Sequence, residues 1–208
     1  MKVFCVSLLT FIAVACCNQQ TENQSNAVSS SPQKNEVVEN ILNRRSIRSY
    51  KSEQVAQAQL DTIINCAINA PSAVNRQPWE VRVVQHADLL KKINDRVKTK
   101  SNNTKEDYSV FYNAPTLIIV ARDKQNNYSA SDCGMLAQNI LLSAESLGLG
   151  TCVIGSLAGV FNDSDSGDLL KAIKLPDTHE VIYGIALGYK NETPDAKPRE
   201  KAKVQFIR

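Results

Sequence analysis

The stretch "SASDCGMLAQNILLSAESLGLG", residues 129–150, limits the fold more than any other part of this chain. Cys133, Leu136, Ala137, Ile140, Leu141, Ala144 and Leu147 recur at helical spacing and form a wide apolar stripe, so this helix must be central. Gly148 stands where a helix commonly ends on a residue of positive φ. "TCVIG" follows as a strand. A unit of this kind needs a sheet and further helices around it.

The remaining sequence supplies them. "EVVENILN", residues 36–43, predicts a modest helix that runs into the cationic "RRSIRSY". In "SEQVAQAQLDTIINCAINAP", Leu60, Ile63, Ile64, Ala67 and Ile68 predict one buried helical face. Pro71 ends it, because a proline disfavours helical geometry at the preceding Ala70. "WEVRVVQ" alternates Trp79, Val81 and Val83 with Glu80 and Arg82, a half-buried strand, and "ADLLKKINDRV" returns to helical period through Leu89, Leu90, Ile93 and Val97. "TLIIVA" predicts a strand covered on both faces. "GDLLKAI" adds a short helix and "EVIYGIALGY" a last strand. The predicted class is α+β, with helices packed on a largely antiparallel sheet.

The start of the chain reads differently. "MKVFCVSLLTFIAVACC" has the basic Lys2, an apolar run from Val3 to Val14, and Ala13-Val14-Ala15 before Cys16, the layout of an export signal peptide over residues 1–15. The run is too short to span a bilayer. Cys16 stands where bacterial lipoproteins are cut and lipidated, so the expectation is an exported, membrane-anchored lipoprotein; plain secretion from the same cut is the alternative. Residues 16–35 are polar and without apolar period, a disordered tether before a folded domain at 36–208. The chain carries 24 basic and 21 acidic residues, a net of +3 that falls by one if Lys2 leaves with the signal. That is too little to argue for nucleic acid.

Cys66, Cys133 and Cys152 form no CxxC and lie among apolar residues, so they are expected to be buried structural thiols, with one disulfide among them left open. His86 and His179 have no spaced carboxylate or cysteine partner, and no metal site or catalytic side chain is predicted.

Two polar clusters stand out. Arg44, Arg45, Ser46 and Arg48 crowd into one turn, and Lys197 and Arg199 recur near the end; guanidinium forks with a serine hydroxyl suit a phosphate, although a helix end also favours cations. In "NAPSAVNRQPWEV", Ser72, Asn75 and Gln77 are neutral donors and acceptors on a backbone fixed by Pro71 and Pro78, suited to a heterocycle edge or simply to a rigid turn. Flavin mononucleotide, FMN, has one phosphate and one flat hydrogen-bonding ring system.

"RRSIRSY", "APSAVNRQPWEVRVV", "DCGMLAQNILLSAESLGLGTCVIG" and "IALGYKNETPDAKPR" closely resemble, in order and spacing, the FMN-dependent nitroreductase family. The resemblance implies a homodimer with FMN at the subunit interface and ping-pong electron transfer from NAD(P)H or another reductant to a nitroaromatic or quinone acceptor. It implies that Arg44, Arg45, Ser46 and Arg48 hold phosphate and ring edge, joined at the phosphate by Lys197 and Arg199. Pro71, Ser72, Asn75 and Gln77 would serve the flavin of the partner subunit, and Cys152, Val153, Ile154 and Gly155 would give backbone contacts near the ring. Residues 94–113, which shape substrate access in the family, map onto nothing specific. Nicotinamide donors are cytoplasmic, so an exported member needs another electron source. Same-fold flavoproteins with dehalogenating or flavin-fragmenting chemistry, and a non-catalytic anchored binding module, are the competing readings.

Overall fold

The computed structural model describes residues 35–208. The predicted signal peptide, Cys16 and nearly all of the predicted tether lie outside the described residues. Among the described residues, six α-helices and four strands follow in the order α1 (Glu36–Asn43), α2 (Gln57–Ile68), β1 (Trp79–Val84), α3 (Ala87–Lys100), β2 (Thr116–Asp123), α4 (Ser129–Ser146), β3 (Leu149–Ile154), α5 (Ser156–Phe161), α6 (Gly167–Ala172) and β4 (His179–Tyr189).

The strands form one sheet in the order β1-β2-β4-β3, and every neighbouring pair is antiparallel. β2 is buried from Thr116 to Ala121, as its unbroken apolar run requires, and it divides the core. Ile118 and Val120 face α2 and α4, meeting Leu60, Ile63, Leu136 and Ile140. Leu117, Ile119 and Ala121 face the other layer, meeting Ile93 and Val97 of α3, Leu157 and Phe161 of α5, and Leu169 of α6. The period of two along the strand thus feeds two separate helical layers.

Local chemistry sets the boundaries. Asn35 caps α1 by accepting the Val38 N–H at 3.1 Å. α2 stops at Ile68, two residues before the Ala70-Pro71 bond. Beyond α4, Gly148 takes φ +76 and donates its N–H to Glu145 at 3.0 Å, turning the chain directly into β3. Ser129, at the start of α4, is fully buried because its hydroxyl donates to the Asp123 and Asn126 carbonyls.

Several expectations need correction. Ile68 and Val83 are exposed, not part of the buried faces assigned to them; in β1 the register instead buries Val84 against the α3 layer. Cys66 is exposed, because it lies off the stripe formed by Leu60, Ile63 and Ala67, whereas Cys133 and Cys152 are buried as expected. All three thiols are free. In the stretch before β2, for which the sequence assigned no specific role, Val110 and Phe111 enter the core. α5 had no counterpart in the sequence reading.

Candidate functional site

The arginine segment leaves α1 and runs along the outer edge of β3. Ser46 pairs with Thr151 as an isolated parallel bridge, and Ile47 donates its N–H to the Thr151 carbonyl at 2.9 Å. Ile47 is buried, so the intervening Arg44, Arg45, Ser46 and Arg48 are carried on an anchored backbone. Arg45 donates to the carbonyls of Leu42 and Arg44, satisfying the end of α1. Thr151 turns its carbonyl outward, and by strand alternation Val153 presents its N–H and C=O to the same open edge. Val153 is also partly exposed, while Cys152 and Ile154 point into the core.

The segment after β4 closes on the arginines. Tyr50 bridges antiparallel to Lys190, Lys51 donates to the Tyr189 carbonyl at 3.0 Å, and Asn191 donates to the Ser49 carbonyl at 3.0 Å. The next residue, Glu192, accepts the Arg48 N–H on its carboxylate. Lys197 and Arg199 lie farther along this exposed segment, and among the described residues Arg199 donates only to the carbonyls of Lys197 and Pro198. The described contacts therefore bring the start of the C-terminal segment to Arg48, but not those two cations.

Arg48 stacks over Tyr112, its guanidinium carbon 5.9 Å from the ring centroid. Its pKa is raised, first by a hydrogen bond with Tyr112 and then by Cys152. Burial pushes the Cys152 thiol up, while the Arg48 and Arg44 guanidiniums pull it the other way. Tyr50 donates its hydroxyl to the Ile47 carbonyl at 2.6 Å, and burial pushes its phenol far above the ordinary range. Arg44, Arg48, Tyr50, Tyr112, Cys152 and Glu192 thus share one electrostatic neighbourhood.

The loop at 71–78 is built separately. Gln77 donates its N–H to the Ser72 hydroxyl at 3.0 Å and its side-chain amide to Asn75 at 3.2 Å, which links the three predicted polar groups. Val74, Asn75 and Gln77 take φ of 46, 55 and 47, left-handed conformations costly for a branched residue such as Val74. The anchor is Asp132 in the first turn of α4, 2% exposed, whose carboxylate accepts the Ala73 N–H at 3.2 Å. Sequence reasoning missed Asp132, because an acid in a first helical turn is already accounted for by the helix dipole.

These two halves do not meet within one chain. Trp79, where the loop ends, stands level with Arg122 and Glu180, whereas Thr151 stands level with Leu187. Seven positions along β4 are about 23 Å, and three strand spacings across the sheet add about 14 Å sideways.

Comparisons agree with this architecture. The pattern of the Nitroreductase family matches residues 41–189. An NADPH-flavin oxidoreductase of Vibrio harveyi is 32% identical over 82% of this chain and 72% of its own length. An FMN reductase [NAD(P)H] of Bacillus subtilis is 29% identical over 79% of this chain and 70% of its own. Among solved structures, a nitroreductase with bound FMN from Bacteroides fragilis superposes with a TM-score of 0.79 at 28% identity, covering 84% of this chain and all of that one. The arginine segment, the polar loop, α4 and all four strands fall inside the matched region, and the chain belongs to the nitroreductase family.

Proposed function

We propose that this protein is an FMN-dependent oxidoreductase of nitroreductase type, moving electrons from NAD(P)H or another reductant to a small nitroaromatic or quinone acceptor. The carrying observation is the Ser46–Thr151 pairing, which lays a dense arginine segment along the open edge of β3. Relatives named as flavin and FMN reductases support it, as does the structure with bound FMN.

The donor set fits the cofactor. Arg44, Arg45, Ser46 and Arg48 offer guanidinium forks and a hydroxyl to a phosphate, and Val153 offers a backbone N–H and C=O to a ring edge. Lys197 and Arg199 follow the strap that is pinned to residues 48–51, and would complete the phosphate grip. Bound there, FMN would supply two-electron redox chemistry, in separate half-reactions with the reductant and with the acceptor. The protein's part is to bind, orient and balance charge. Arginine and backbone N–H donors stabilise negative charge that develops at the ring.

A homodimer completes the site. Ser72, Asn75 and Gln77 sit far from the arginine segment of their own chain, so they serve the cofactor held by a second copy. The export reading rests on Lys2, the apolar run from Val3 to Val14 and Cys16, and assigns a lipid-anchored protein outside the cytoplasm. Steady-state kinetics with NADPH and a quinone or nitroaromatic test the activity. Parallel double-reciprocal lines are expected; no turnover with any such acceptor would remove the reductase reading.

A further inference from the structure

Glu192 is an anion fixed inside an anion site. Its backbone neighbourhood is pinned by Lys51 to Tyr189, Tyr50 to Lys190 and Asn191 to Ser49, and its carboxylate accepts the Arg48 N–H. It is half-buried, and among the described residues no Lys, Arg or His lies within ion-pair distance of it. A surface glutamate free to move would turn to one of the nearby guanidiniums; this one is held by a neutral N–H instead. Its charge reaches the neighbourhood: it contributes, behind burial, to the raised values of Tyr50 and Cys152, and, behind the Tyr112 bond, to that of Arg48.

We propose that Glu192 is a charge-offsetting residue of the site: its carboxylate, fixed on the Arg48 N–H, opposes the gathering of negative charge there and so holds the reduction potential of bound flavin low. This rests on the FMN reading above. Reduced flavin tends to be anionic, so an arginine-lined site left unbalanced would favour the reduced form and weaken it as a donor to the acceptor. A fixed carboxylate beside Arg48 withdraws part of that preference while the arginines still hold the phosphate. Arg48 is the binding group, and Glu192 acts through the field it adds.

The test compares full-length protein with Glu192→Gln, which keeps a hydrogen-bond acceptor and loses the charge, and Glu192→Asp, which keeps the charge. FMN affinity is measured by titration and the flavin midpoint potential by spectroelectrochemistry, at low and high salt. Glu192→Gln is expected to bind oxidised FMN about threefold more tightly and reduced FMN more tightly still. The extra preference for the reduced form should be about tenfold, a rise of about 30 mV for a two-electron couple, and salt should shrink both effects. Glu192→Asp should keep the unaltered potential. Unchanged affinity and potential in Glu192→Gln, or an equal rise in Glu192→Asp, would overturn the proposal. If the unaltered protein takes up no FMN at all, the FMN reading fails first and carries this one with it.

Discussion

Ile47 and Gly150 touch so closely that a Cβ on Gly150 would lie 2.8 Å from Ile47 Cγ1 and 2.9 Å from its Cβ. The contact lets the arginine segment lie against β3, and Ile47 is 1% exposed there. Gly150→Ala is therefore expected to cost about 1–3 kcal/mol through overpacking, read by thermal melting, and to lower FMN affinity by lifting residues 44–48 off the strand. Wild-type affinity in this variant would show that the close approach does not position the arginines.

The phosphate assignment is tested one cation at a time. Arg48→Ala and Arg199→Ala are each expected to weaken FMN binding by about 1.5–3 kcal/mol, the range of a charge-assisted hydrogen bond. Fluorescence titration of FMN measures it. Unchanged affinity in both would place the phosphate elsewhere.

Asp132 ties the polar loop to α4 by accepting the Ala73 N–H. Asp132→Ala should free that loop and leave the half-buried Ala73 N–H without its partner, at a cost of about 1–3 kcal/mol. If the loop serves the second copy's cofactor, FMN affinity falls along with stability. A stability loss with unchanged FMN affinity would confine the loop to a structural role.

Acid should weaken the charged seam between α3 and the segment 163–168 that leads into α6. Lys100 pairs with Asp163 and Asp165, and Lys92 and Arg96 with Asp168. Hydrogen bonds from Lys100 hold Asp163 and Asp165 below the ordinary carboxylate value, and Lys92 does the same for Asp168. A depressed folded pKa means stability that is complete above about 4, the unfolded value, and lost as pH falls through the lower folded values. These groups are exposed, so high salt should flatten the acid limb of a melting-temperature profile. An acid limb indifferent to salt would contradict this origin.

The helices with a wide apolar stripe were legible because their period survives in one dimension: α4 needs enclosure whatever surrounds it, and β2 announces two covered faces. α5 was not legible, since "SLAGVF" is too short to show a period. Cys66, Ile68 and Val83 were misplaced because apolar neighbours in sequence do not say which side of an element meets the core. For the site, the residue types and their grouping were readable, but not their placement. Only the sheet topology and register show that the loop and the arginines stand at opposite edges of the sheet. Glu192 was hidden for a related reason: its role comes from a strap folding back onto residues 48–51, a pairing that no local pattern encodes.

The most direct test is an absorbance spectrum of the purified protein, before and after added FMN and then NADPH without oxygen. The expected result is a set of flavin bands that bleach when NADPH is added, or with dithionite if the protein draws on another donor. A colourless protein that takes up no added FMN would contradict the assignment and leave the arginine segment as a surface without this cofactor.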